Sequence, residues 1–273
     1  METILLATDF SPAANNAADY ALELAKFFDA KLILLNAYPI PAANYDTGLP
    51  TEVITSLHND SEESLAKLKT RLLKDNSGVE IKCVSVMGGT EVVIEEVCKR
   101  KEVNLVVMGI VGHASKIKEH IIGSTALTAA RHLNVPIFII PDGVKYKRIQ
   151  KLSFACGMKR PEQATVIFTA KYFAKAFDAE LEVINIEKPF EERSEEKALA
   201  IEFIEEKLDS VNHKTFMLAD KDASLGLEDH YAHYPTDVII LNPKKHNMFQ
   251  TIFGTSVTKK LIFHSTTPIL IIH

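Results

Sequence analysis

Cysteine is scarce in this chain, and the scarcity excludes two classes of small scaffold. Cys83, Cys98 and Cys156 are the only three among 273 residues, and they stand far apart. An odd number without CxxC spacing supplies neither a disulfide framework nor a zinc site, so all three read as reduced thiols. An excess of charge of one sign is also missing. The 31 Lys and Arg face 36 Asp and Glu, and the formal charge of −5 is spread along the sequence. That balance offers no electrostatic footprint for nucleic acid or for an anionic membrane. No apolar run approaches the ~18 residues a membrane span requires. Met1-Glu2-Thr3 leads straight into Ile4-Leu5-Leu6 with no basic leader or cleavage site, so no signal peptide is expected. Together these absences lead to the expectation of a cytoplasmic protein with no membrane and no nucleic-acid partner.

What is present is an ordinary globular balance, 47% apolar and 25% charged, at a length that accommodates two domains. The sequence also repeats itself. Ile4-Leu5-Leu6-Ala7-Thr8 reads as a buried strand, and Ser11-Pro12 as the N-cap and first-turn proline of a helix. Ala14, Ala17, Ala18, Ala21, Ala25 and Phe28 share one face of that helix, and a second strand follows at Lys31 to Asn36. Leu152 to Cys156, a helix from Pro161 to Phe177 and a strand from Leu181 to Asn185 restate this order. Even the wording agrees, Ala25-Lys26-Phe27-Phe28-Asp29-Ala30 against Ala174-Lys175-Ala176-Phe177-Asp178-Ala179.

The match runs on to both ends. Val79 to Val86 and Lys214 to Leu218 read as third strands, each followed by a short helix. Asn104 to Met108 and Asp237 to Leu241 read as fourth strands; Val135 to Ile140 and Thr267 to Ile272 read as fifth strands. Apolar strands alternating with helices predict a mostly parallel sheet covered on both faces. The expected fold class is α/β: two tandem, doubly wound, five-stranded domains at residues 1–142 and 149–273, joined through a turn-rich basic linker at Asp142 to Arg148. Only the first half carries a long stretch, Pro39 to Gly48, before its charged helix from about Glu52 to Asp75. Such a loop at a strand's carboxyl end serves either as cover for a ligand or as a plain surface connection.

Gly109-Ile110-Val111-Gly112 follows the fourth strand, and Gly123-Ser124-Thr125 precedes a helix. Glycines there let main-chain N–H groups approach oxygens, and a helix start adds amides, a hydroxyl and the positive dipole end. By spacing alone, a tight turn followed by an ordinary cap accounts for the same residues. With the opening Ala7-Thr8-Asp9-Phe10-Ser11, these residues resemble the universal stress protein family, whose fold is Rossmann-like, of the adenine nucleotide alpha hydrolase type. The likeness covers the chain twice. It implies a non-enzymatic stress-response module. Some members bind ATP and others do not; they dimerise through their fifth strands, and tandem forms pack as an intramolecular pseudo-dimer. A further homodimer through other faces stays open.

Carried over, the resemblance places Ala7, Thr8 and Asp9 at the ribose or adenine, and the main chain at Ala37 on the adenine edge. It places Gly109, Gly112, Gly123, Ser124 and Thr125 around the phosphates of ATP, with Mg as a companion ion, and counts Met108 among the cofactor-binding residues. Ten residues separate Gly112 from Gly123, one more than the family's spacing. The second half has Ala155-Cys156-Gly157 and Asn242-Pro243-Lys244-Lys245 at the matching places, so its nucleotide site reads as degenerate. Outside this frame, His230 and His233 beside Glu228 and Asp229 have helical spacing for a metal, but a polar helix face explains them and no third ligand is evident. His113 and His120 flank the glycine loop and read as solvent-facing. No catalytic triad and no HxGH or SGGxDS signature is present, so no enzyme is expected. A ligand-free protein-interaction scaffold and a slow ATPase are the alternatives.

Overall fold

A computed structural model of the chain describes residues 1–39, 51–74, 78–110, 126, 128–129, 132–156, 164–187, 195–220, 223–242 and 266–273. The chain divides into two compact units: Met1–Ala129 with Val135–Tyr146, and Ala130–Asn134 with Lys147–His273. Among the described residues, no helix is long and apolar enough to cross a membrane.

The first unit alternates strands and helices: β1 (Thr3–Ala7), α1 (Pro12–Phe28), β2 (Lys31–Tyr38), α2 (Thr51–Leu73), β3 (Ile81–Met87), α3 (Thr90–Arg100), β4 (Leu105–Ile110) and β5 (Ile137–Pro141). Its strands lie in the order β3-β2-β1-β4-β5, and every pair is parallel. Parallel strands are covered on both faces, which is why β1, β2, β4 and β5 read as nearly unbroken apolar runs. Ile4, Leu5, Leu6, Val106, Val107 and Phe138 have no exposed surface. Alanines let α1 lie close upon them: Ala13, Ala14, Ala17, Ala18, Ala21 and Ala25 are all buried. Helix α1 begins where the sequence places it. Ser11 caps it, its Oγ accepting from Ala14 N at 3.2 Å, and Pro12 occupies the first turn. It ends at Asp29 in the left-handed region (φ 50°), with Ala30 N bonded to Ala25 O at 2.9 Å.

The second unit repeats the plan: β6 (Lys151–Ala155), α4 (Ala164–Phe177), β7 (Glu180–Glu187), α5 (Glu195–Leu208), β8 (His213–Ala219), α6 (Ala223–His233), β9 (Val238–Leu241) and β10 (Ile269–Ile271). Its order is β8-β7-β6-β9-β10, again parallel throughout. Local devices recur with it. Asp178 (φ 53°) ends α4 as Asp29 ends α1, with Ala179 N bonded to Ala174 O at 2.9 Å. The first strand of each unit is pinned by a side chain that precedes the fourth. Asn104 Oδ1 accepts from Glu2 N (2.8 Å) and Thr3 N (3.0 Å), and Asp237 Oδ2 from Gln150 N (2.9 Å) and Lys151 N (3.0 Å). Both satisfy main-chain donors that the ladder leaves over.

Candidate functional site

Strand order reverses between β1 and β4, and open α/β sheets bind ligands outside the strand carboxyl ends at such a switch point. Ala7 and Met108 are register partners there. This brings the ends of β1 and β4 together. Met108 itself is buried and contributes wall rather than reachable surface.

Beyond Ala7 the chain turns sharply. Thr8 N still donates to Leu35 O (2.9 Å), but Phe10 N donates to Thr8 Oγ1 (3.0 Å) and Phe10 adopts φ 62°. Asp9 Oδ1 accepts from Ser11 N (3.0 Å), an Asx-turn that fixes an exposed carboxylate just ahead of the helix. Asn15 Nδ2 closes the loop on Phe10 O at 2.9 Å. The loop is thus held by three side chains while its carboxylate stays at the rim.

Ala37 lies one strand over, half-buried near the end of β2. Main-chain groups in a parallel strand face alternate neighbours. Lys31 N and Leu35 O bond on the β1 side, and Leu32 N and Tyr38 O on the β3 side. Ala37 shares the parity of Leu35, so its N–H and C=O face the β1 side at a level where β1 has turned away. The next ladder bonds would use Thr8 O and Phe10 N. Both are diverted, Thr8 O to the side-chain amide of Asn36 (2.7 Å) and Phe10 N to the Thr8 hydroxyl.

Residues that the sequence does not single out hold this arrangement. Asn36 Oδ1 accepts from Ser61 Oγ (2.7 Å) on α2, and Ser85 Oγ on β3 donates to Ser61 Oγ (2.7 Å). Asn36 and Ser61 are buried, so the chain of bonds satisfies groups that would otherwise be costly. At the outer side of β2, Tyr38 Oη meets His58 Nδ1 at 3.2 Å, and His58 Nε2 lies 3.4 Å from Glu62. An asparagine ending an apolar strand in both halves, Asn36 and Asn185, is the one sequence signal for this network.

Gly109 has a different reason from the one its spacing suggests. It lies inside β4, not in a loop after it, and pairs with Ile140. A Cβ at this position would stand 2.4 Å from Ala13 O, 2.6 Å from Ala13 C and 2.9 Å from Ala14 N. The first turn of α1 occupies that space, so glycine here permits helix and strand to approach. Gly112, Gly123, Ser124 and Thr125 lie outside the described residues, as do His113, His120 and the stretch from residue 40 to 50.

The second unit fills the matching positions differently. Cys156 stands where Thr8 does, its N–H bonded to Ile184 O at 2.9 Å, and burial pushes its thiol up to about 12. Asn36 and Ser85 are register partners in the first unit; Asn185 and Met217 are in the second, with Asn185 Nδ2 at 3.9 Å from Met217 Sδ. The histidines of α6 do not converge. His230 is buried, stacked on Tyr234 with ring centres 4.9 Å apart, and its Nε2 lies 3.7 Å from Glu182 Oε2. Lys151 Nζ balances the buried Glu182 at 3.0 Å. The polar helix face expected at residues 230 to 233 is therefore half interior: His230 turns to the sheet while His233 stays exposed. Among the described residues no group of three His, Cys, Asp or Glu could hold a metal ion.

Comparison with known proteins gives this architecture a lineage. The family model described as the universal stress protein family matches residues 1–141. A universal stress protein of Methanocaldococcus jannaschii is 27% identical over 142 residues, 50% of this chain and 80% of its own. The crystal structure of a universal stress protein from Archaeoglobus fulgidus covers 99% of this chain and 97% of its own, at 16% identity and TM-score 0.76. A functionally unknown protein from Pseudomonas aeruginosa covers 100% of this chain and 92% of its own, at 12% identity and TM-score 0.65. At these identities, the two structures are similar to this chain in fold.

Proposed function

Since the chain belongs to the universal stress protein family, we propose that its first unit binds an adenine nucleotide, ATP with Mg, and that the protein is a non-enzymatic, cytoplasmic, nucleotide-dependent module of stress physiology. The observation that carries this reading is the main chain of Ala37, whose N–H and C=O face the crevice beside the end of β1. Adenine offers the complement, an amino donor next to a ring-nitrogen acceptor. Asp9, exposed at the rim and anchored through one oxygen, suits the ribose hydroxyls. For the phosphates the reading rests on the sequence alone, on Gly112, Gly123, Ser124 and Thr125 with their main-chain amides. The Mg ion would come with the phosphate oxygens rather than sit in a protein cage.

The second unit is proposed to play no part in nucleotide binding. Gly157 brings no carboxylate to the place of Asp9, and Pro243 removes a donor where the first half has the Gly109 to Gly112 stretch.

Thermal unfolding of the whole chain with and without Mg-ATP tests the proposal. A ligand selective for the native state adds about 2.7 kcal/mol at a hundredfold excess over Kd. The melting midpoint should rise with Mg-ATP, and Asp9→Ala should reduce the rise. An unchanged midpoint at millimolar Mg-ATP overturns the reading in favour of a ligand-free scaffold.

A further inference from the structure

We infer that Ser61 and Ser85, acting through the Asn36 amide, are positioning residues that keep the Ala37 main chain open to a base and set a preference for adenine over guanine. This rests on the nucleotide reading above. The β1–β2 ladder runs regularly as far as Thr8 N to Leu35 O. One step later it would consume both main-chain groups of Ala37. The Asn36 amide instead fixes the Thr8 carbonyl at 2.7 Å, while Ser61 holds the other end of that amide and Ser85 holds Ser61. The serine donated to Asn36 Oδ1 also determines which way the amide faces, leaving its NH2 for Thr8. The strand end is thereby set at a fixed distance from Ala37, and the crevice stays open.

The repeat supplies an internal control. The second unit forms the same parallel register with Met217 where the first has Ser85 and Cys156 where it has Thr8. The serine relay is therefore not a requirement of the fold. It is found in the unit that keeps Asp9. A C=O and an N–H presented together accept from adenine's amino group and donate to its ring nitrogen. Guanine carries the opposite pair on that edge, and a site built for one pair leaves groups unpaired against the other.

The test is calorimetric titration of the full chain, as wild type and as Ser61→Ala, Ser85→Met and Asn36→Ala, with Mg-ATP, Mg-GTP and inorganic tripolyphosphate. Amide exchange at Ala37 and Leu35 is followed in the nucleotide-free proteins. Loss of well-set hydrogen bonds to the base should weaken ATP binding roughly 3- to 10-fold. Tripolyphosphate affinity should stay within about twofold, so the ATP-to-GTP ratio shrinks. The Ala37 amide should exchange faster than that of Leu35 in wild type and become slower in the variants as the ladder closes. Parallel losses for ATP and tripolyphosphate would mark a merely structural role and overturn the inference, as would an unchanged ATP-to-GTP ratio. Should wild type bind no adenine nucleotide, the functional reading falls separately. The exchange result then decides the positioning: an Ala37 amide as protected as Leu35 refutes it. Ser85→Met, which copies the second unit's own residue, keeps the test available if Asn36→Ala does not fold.

Discussion

Replacing Gly109 with alanine should displace the first turn of α1 and destabilise the first unit. The added methyl would meet Ala13 O at 2.4 Å, Ala13 C at 2.6 Å and Ala14 N at 2.9 Å. All three atoms are main chain, so no side chain can swing aside. Ordinary contact needs roughly 3.4 Å, and the helix start must therefore retreat by nearly 1 Å or β4 must bend. Overpacking of this kind costs about 1–3 kcal/mol. In a domain of this size, each kcal/mol lowers the melting midpoint by about 2–4 °C, for a fall of roughly 2–12 °C. Circular dichroism melts of wild type, Gly109→Ala and the control Gly89→Ser would measure it. Gly89 precedes α3 with extended backbone, no side-chain cap and nothing within 4 Å of a built Cβ. A serine there should be neutral or slightly stabilising as an N-cap. If Gly109→Ala melts within about 1 °C of wild type, the packing account of this glycine is wrong and a role in an open loop returns. The same displacement would drag Ser11 and the Asp9 turn with it, so the variant should also show a weaker Mg-ATP response.

Two further predictions concern protonation in the second unit. Burial pulls the Asp237 carboxyl upward, but the Lys147 ammonium at 2.6 Å and the Gln150 and Lys151 amides outweigh it and hold the value below the usual 3.8. Its contribution is complete above pH ~4 and is lost as pH falls through the lowered folded value. Asp237→Ala should cost about 1–3 kcal/mol by urea unfolding at pH 7; Asp237→Asn should cost less, since Asn104 serves the first unit in that place. Equal losses for the two would refute the main-chain account. For His213, burial opposes the charge, but acceptance by Val211 O and pairing with Glu205 at 2.9 Å raise it above 6.5. That stabilisation is complete below pH ~6.5 and fades as pH rises through the raised value. His213→Gln should flatten stability between pH 6 and 8, and a slope as steep as wild type's would count against the pair.

The framework was legible because its causes are local. Ser11-Pro12 starts α1 by cap chemistry, and apolar runs give the buried strands. Edges were less readable. β2 continues past Asn36 to Tyr38 because β3 offers partners out to Met87, and no property of Ala37 or Tyr38 alone announces that. Gly109 reads in the sequence as the end of the fourth strand, whereas the absent Cβ is what lets the strand go on beneath α1. Ser61 sits among His58, Asn59, Asp60, Glu62 and Glu63, and although it shares the face of Leu65, Leu68 and Leu72, a serine there does not announce which groups it bonds. Its partners lie 25 and 24 residues away, and only the folded register joins them. Glu182 was likewise hidden in an apolar strand, where Lys151 pairs with it at 3.0 Å and the packing of α6 brings His230 to 3.7 Å.

Comparing the halves separates devices that recur in both units from polar groups found in one. A buried main-chain group needs a partner whether or not a ligand ever arrives. The devices that supply such partners accordingly appear twice: Asn104 and Asp237, Asp29 and Asp178, and the Thr8 and Cys156 amides at 2.9 Å from Leu35 and Ile184. Differences gather instead where strand ends face the crevice. Asp9 gives way to Gly157, Thr8 to Cys156 and Ser85 to Met217. Cys156 adds no charge there, because burial holds its thiol protonated. Had Ser85 mattered chiefly for packing, a thioether in the same register would have disturbed β8, yet Asn185 and Met217 pair as Asn36 and Ser85 do. The second unit thus keeps the devices that satisfy its main chain and carries less polar side chains at the strand ends.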